Sequence, residues 1–270
     1  MDYNRDYFKG KMAVVTGGAS GIGLALAEEL LKSNAAKVVI ADINHANLVK
    51  EEARLKAAYG DRIKGILCDV TKEEEVKELV KLSLVYMEKR IDLLFNNAGV
   101  GFTGWFSELD NEDWEKAFAL NFFSALYGMR AVLPVMIAQG GGQIINTISG
   151  IAFYPMAFQS RYAATKAALN SLTLALRYEY WDDNIKISAA TPGTTATAIW
   201  GDNPIPAIAQ TAEQSASRIL NGVVNNDRLI FGDDSDAEGS VNCFDEAHRE
   251  GVDQYLLDVA RQRKKGVLAF

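Results

Sequence analysis

Short runs of nearly unbroken apolar residues recur along this chain, at 12–16, 37–42, 64–69, 91–96, 143–149, 186–190 and 228–231. They are rich in Val, Ile and Leu, and most do not alternate with polar residues. A strand with one wet face alternates. A strand covered on both faces reads as a continuous apolar run, the pattern of a parallel sheet between two helix layers. The stretches between the runs carry helical punctuation. Thr71, with Glu74 three residues on, reads as a capping box, and Asn34 and Gly60 stand where helices end in a left-handed residue. This alternation predicts right-handed βαβ units in an α/β, Rossmann-type doubly wound parallel sheet of about seven strands, a three-layer sandwich. The 270 residues suffice for one domain, 1–270, with 233–270 as a C-terminal extension of loop and helix. Within it 232–240 reads as a solvated loop, and Val252, Tyr255, Leu256 and Val259 mark one face of a last helix.

The first run ends in TGGASGIG, residues 16–23, and a helical pattern follows from near Ile22. Gly17, Gly21 and Gly23 permit a tight turn and a close approach of backbone to a ligand. The helix start beyond them offers unpaired N–H groups and a positive dipole end, suited to a pyrophosphate. A plain glycine-rich turn between strand and helix is the competing reading. Asp42, nineteen residues after Gly23, ends the second run. An acid there hydrogen-bonds the adenosine ribose hydroxyls of a dinucleotide and repels a 2′-phosphate. With Ile43 and Asn44 beside it and no Lys or Arg, the position favours NAD over NADP. Asp42 as a helix cap is the alternative, although Asn44 can fill that place.

Tyr162 and Lys166 are one helical turn apart in an Ala-rich run, so phenol and ammonium share a face. A free phenol has a pKa near 10, and a neighbouring cation would lower it toward the working range of a general acid or base. With ten tyrosines, one such pair arises by chance about half the time at average Lys usage. Ser149, thirteen residues earlier, ends the fifth run at the carboxyl edge of the sheet, where open α/β folds bind ligands. Asn96-Asn97-Ala98-Gly99 ends the fourth run at the same edge.

Together TGGASGIG (16–23), CDV (68–70), NNAG (96–99), Asn121, Ser149, YAATK (162–166) and Pro192-Gly193 followed by TTAT resemble the short-chain dehydrogenase/reductase family, in its order and near its spacing over about residues 8–232. The resemblance implies that Gly17, Ser20, Ile22 and Gly23 line the pyrophosphate and ribose. It implies that Asp42 holds the adenosine ribose, Asp69 and Val70 the adenine, and Asn97 the cofactor ribose. Lys166 would hold the nicotinamide ribose and lower the pKa of Tyr162, the general acid/base. Ser149 would orient the substrate oxygen, Asn121 a water joining Lys166 to solvent, and Thr195 and Thr197 the carboxamide and phosphate. The implied activity is reversible hydride transfer between a secondary alcohol and its ketone with NAD. The alternatives are a dinucleotide sensor or scaffold without turnover, a methyltransferase, and a reductase of small polar carbonyls.

Aromatic and apolar residues of the segments 100–105, 150–158 and 199–209 (Phe102, Trp105, Phe153, Tyr154, Met156, Phe158, Trp200 and Ile205) point to a bulky apolar substrate such as a hydroxysteroid, bile acid or lipid-like alcohol. A net charge of −7 argues against nucleic acid and anionic membrane as partners. The basic run 261–265 reads as the complement to a helix C-terminus. No apolar stretch reads as a membrane span, because 118–138 is interrupted by Asn121, Arg130 and Pro134. The polar N-terminus and two unpaired cysteines suggest a cytoplasmic protein, and two distant histidines suggest no metal. Ala164, Ala168, Ser171 and Ala175, at helical spacing in a helix from about 157 to 181, permit close pairing of two copies, and relatives suggest a homodimer or homotetramer.

Overall fold

The computed structural model describes residues 3–201 and 204–267. Seven parallel strands form one sheet in the order β3-β2-β1-β4-β5-β6-β7. They are β1 (Met12–Thr16), β2 (Lys37–Asp42), β3 (Ile63–Leu67), β4 (Leu93–Asn96), β5 (Gly142–Thr147), β6 (Ile185–Thr191) and β7 (Leu229–Phe231). The central strands are buried along nearly their whole length, which is why their sequences do not alternate. Edge strand β3 exposes Lys64 and Leu67 and buries Ile63 and Ile66.

Helices cover both faces. α1 (Gly21–Lys32), α2 (His45–Tyr59) and α7 (Ala212–Asn225) bury Leu26, Leu30, Leu48, Leu55, Ile219 and Val223 against one face. α3 (Glu73–Tyr86), α5 (Ser124–Ala138) and α6 (Ser160–Glu179) bury Leu79, Met129, Val132 and Leu169 against the other. α4 (Asn111–Phe118) runs into α5 through a wide π-type turn, Ala119–Phe123. α8 (Asp234–Asn242) and α9 (Arg249–Lys264) close the chain.

Helix ends follow local chemistry. Asn44 caps α2 by accepting from the Asn47 N–H at 3.1 Å, which leaves Asp42 for other partners. Asn34 is left-handed at φ 60°, and Gly60 at φ 67° ends α2. The expected capping box at Thr71 is absent. α3 begins after Lys72, and the Thr71 hydroxyl donates to Asp69 at 2.7 Å, because an acid two residues back is the nearer acceptor. The segment 232–240 is not a loop. Asp233 accepts from the Asp236 N–H at 2.7 Å and starts α8, so acids that read as solvated are cap chemistry. In α9 Val259 and Arg263 are buried and Val252 and Leu256 half-buried on the same face, while Tyr255 is exposed. The continuous helical stretch Asn111–Ala138 is long and apolar enough to cross a membrane by length and composition, since Asn121, Arg130 and Pro134 interrupt its apolar character less than expected. Here it packs Met129, Val132 and Leu133 into the core beneath the sheet.

Leu30 is fully buried on α1 between the sheet and α7. Leu30→Ala is expected to destabilise the fold by about 2–5 kcal/mol, read as a lower midpoint in urea unfolding with an unchanged slope.

Candidate active site

The winding of the sheet reverses between β1 and β4, which are neighbours although two strands separate them in sequence. Ligands of open α/β sheets bind at such a reversal, beyond the strand carboxyl ends. A cleft of about 460 Å³ lies there. Its wall includes Gly17, Ser20, Ile22, Asp42, Asp69, Val70, Asn97, Tyr162, Lys166 and Thr197, gathered from six segments of the chain. A larger surface hollow of about 710 Å³ lies among α1, α7 and the start of α8, away from all of these. Both arginines lining it are already paired, Arg5 with Glu29 and Arg218 with Asp234.

The glycine loop is packed to backbone contact. A Cβ at Gly23 would collide with the Gly17 carbonyl and the Asn97 carboxamide. Gly17 has φ 63° and Gly21 φ 50°, conformations natural to glycine. Ser20 precedes α1 without a side-chain cap, so the first-turn N–H groups of α1 face the cleft for an anion. Asp42 steadies the same loop, accepting from the Ala19 N–H at 3.1 Å and the Asn44 N–H at 2.9 Å. This cradle of glycines, open helix end and acid fits a dinucleotide.

Across the cleft stand the polar residues of α6 and its neighbours. Lys166 is 3 % exposed, and its Nζ donates to the Thr147 carbonyl, the last of β5, at 2.8 Å. Burial pushes its pKa down to about 8. The Nζ lies 5.9 Å from the centre of the Tyr162 ring. Tyr162 sits half-buried on the wall with its hydroxyl set deep, and burial raises its pKa. A hydrogen bond with Ser149 works in the opposite direction. Desolvation of the phenol is the largest cause, no lowering by the ammonium offsets it in the protein alone, and burial drives the lysine itself toward neutrality. Ser149 lies two residues beyond β5, not at its end, and caps a short turn, Gly150–Ala152.

Asn121 sits in the π-type turn and is 1 % exposed. Its carboxamide accepts from the Val100 N–H at 3.1 Å and donates to the Val100 carbonyl at 3.0 Å. A Cβ at Gly99 would stand 2.9 Å from the Asn121 oxygen and 3.4 Å from the Lys166 Nζ, so Gly99 separates the two by one backbone thickness. Thr195 departs from its expected place. It is buried, and its hydroxyl donates to the Pro192 and Gly193 carbonyls, so it shapes the loop from behind while Thr197 meets the cleft.

The expected aromatic wall is partly spent on packing. Phe153 packs against Phe231, and Trp105 lies 5.0 Å from Phe158 between ring centres. The Trp200 indole N–H donates to the Thr195 carbonyl at 2.8 Å. Residues 202 and 203 of the third segment lie outside the described residues. Sequence reading passed over Leu120, Thr147 and Ile148, which also line the cleft; each looks like an ordinary core or strand position. Among the described residues no group of three or more His, Cys, Asp or Glu could hold a metal ion.

A cleft at the switch point of a doubly wound sheet, with a glycine cradle on one side and Tyr162 and Lys166 on the other, is the frame into which the relatives of this chain fall. The short chain dehydrogenase family profile matches residues 11–205. The chain is 34% identical over 205 residues to a 2,5-dichloro-2,5-cyclohexadiene-1,4-diol dehydrogenase of Sphingobium indicum, covering 76% of this chain and 81% of that one. It is 36% identical over 194 residues to an uncharacterized oxidoreductase of Staphylococcus saprophyticus, covering 71% and 81%. A short-chain dehydrogenase structure from Novosphingobium aromaticivorans superposes with a TM-score of 0.81 at 27% identity, over 96% of this chain and 95% of that one. One from Burkholderia phymatum, in complex with NAD, gives 0.78 at 26% identity, over 94% and 96%. The chain belongs to the short-chain dehydrogenase/reductase family, an oxidoreductase family.

Burying a lysine whose folded pKa is about 8, against about 10.5 unfolded, costs stability in full below pH 8 and ceases to cost as pH rises to 10.5. Lys166→Met is thus expected to gain about 3 kcal/mol of stability relative to the unaltered protein as pH falls from 10.5 to 7, the lost bond to the Thr147 carbonyl costing the same at both, measured by denaturant unfolding at both pH values.

Proposed function

We propose that the protein is an NAD(H)-dependent dehydrogenase of secondary alcohols, working reversibly with their ketones. The observation that carries this reading is the meeting of Tyr162, Lys166 and Ser149 beside a glycine cradle at the sheet's switch point. When bound, the nicotinamide supplies the hydride acceptor or donor, and in its oxidised form a positive charge. Tyr162 takes the alcohol proton as phenolate and returns it to the ketone oxygen in reverse. Ser149 donates to the same oxygen and holds it against Tyr162. Lys166, fixed by the Thr147 carbonyl, keeps an ammonium near the phenol and offers its remaining N–H groups to a ribose. Asn121 holds the Val100 backbone, and with it the loop that lines the cleft opposite Tyr162.

NAD is favoured over NADP by Asp42 and by charge. Among the described residues lining the cleft, Lys166 is the only basic one, so nothing there pairs with a 2′-phosphate. For the substrate we favour a bulky, largely apolar cyclic alcohol. Val100 and Leu120 line the cleft, and the relative from Sphingobium acts, by its name, on a chlorinated ring diol. We also propose pairing of two copies through α6, whose Ser171 and Ala175 are exposed beside the half-buried Ala164 and Ala168. Light scattering at micromolar protein reads the mass directly; a monomer there removes the pairing.

Tyr162→Phe should lower kcat by about 10²- to 10⁴-fold while NADH affinity, followed by its fluorescence, stays within a few-fold. Near wild-type turnover in that variant would remove Tyr162 from the chemistry. Asp42→Asn should weaken NAD binding about tenfold by replacing a charge-assisted hydrogen bond with a neutral one. Equal turnover with NAD and NADP by the unaltered protein would count against the cofactor assignment.

A further inference from the structure

The family match ends at residue 205, yet α8 reaches back into the site. Two of its acids, the cap Asp233 and Asp236, act on the two loops that flank the cleft. Asp233, the cap of α8, accepts from the Thr194 N–H at 2.7 Å, and a Cβ at Gly193 would collide with its carboxylate. It thereby fixes the loop that carries Thr197. Asp236, one turn further, is 7 % exposed and accepts a short hydrogen bond from the Tyr154 hydroxyl. Phenol and carboxylate together press on Gly150, where a Cβ would collide with both. Gly150 directly follows Ser149, so this contact sets the turn that aims the serine.

We propose that Asp236, with Tyr154 as its partner, is a positioning residue of the active site: it fixes the Ser149–Gly150 turn and sets the charge that Tyr162 meets. This rests on the dehydrogenase reading for its purpose but not for its physics. The groups that act on Tyr162 are Ser149 from the turn after β5, by a hydrogen bond, Lys166 from its own helix, 5.9 Å from the ring centre, and the negative charge of Asp236 from α8. Around Asp236 stand Tyr154 and Asp233, with Tyr255 of α9 beyond Tyr154. Burial raises the pKa of Asp236, and its ionised form opposes the phenolate of Tyr162. Removing that charge makes phenolate easier to form.

The test is a titration of the full chain labelled with 13Cζ-tyrosine, the Tyr162 resonance being the one absent from Tyr162→Phe. Asp236→Asn should move the Tyr162 midpoint to lower pH by about half a unit or more. The acid limb of kcat for alcohol oxidation should move with it. A merely structural role, acting by loosening Ser149, would change kcat or stability and move the midpoint to higher pH instead. In the unaltered protein, the Tyr162 resonance should also show a second inflection where Asp236 ionises. An unchanged or higher midpoint in Asp236→Asn overturns the proposal; if that variant does not fold, absence of the second inflection does so. Should no alcohol be oxidised with either dinucleotide, the dehydrogenase reading fails, and the titration still decides the role of Asp236.

Discussion

The hydroxyl of Thr16 joins the two halves of the sheet. It accepts from the N–H groups of Asn97 at 3.0 Å and Ala98 at 3.1 Å, and donates to the Phe95 carbonyl at 3.3 Å. Asn97 in turn donates to the Thr16 carbonyl at 3.1 Å. These bonds tie the end of β1 to the end of β4, where the winding reverses and no ladder hydrogen bond remains. Without them the two strand ends would splay at the one place where the cleft opens. The glycine loop then packs on Asn97, and the cradle inherits its shape from this junction.

Opposite the cradle the fold accepts an unfavourable burial. Lys166 has left water for a single carbonyl, and Tyr162 has left it for Ser149. Neither group is stabilised in its charged form by the protein alone, which is the condition of a site awaiting charge from a ligand. The rigid sheet supplies the compensating stability. Thr147 ends β5, Ser149 follows it by two residues and Asn121 sits in the turn that leads into α5, so their positions follow from packed elements.

Much of the site was legible because its parts recur at strand ends in chain order. Glycines after β1, an acid ending β2, Asn97 after β4, Ser149 after β5 and the Tyr162–Lys166 pair each occupy a position that strand and helix periods locate without coordinates. What misled was polar chemistry with more than one use. Thr71 bonds Asp69 instead of capping, Asp233 caps instead of dissolving a loop, and Thr195 turns inward. A local sequence presents such residues as candidates for several partners, and only proximity selects among them.

Hydrophobic periodicity alone determined the parallel sheet, its strand count and the edge at which ligands meet it, because strand burial on both faces leaves no other pattern. The tertiary structure decided which charges face one another. Asp236 lies 86 positions from Gly150 in the chain, yet a Cβ at Gly150 would collide with its carboxylate. Nothing periodic links them; they meet because α8 folds back over the turn after β5, and desolvation acts on whatever the fold happens to bring together.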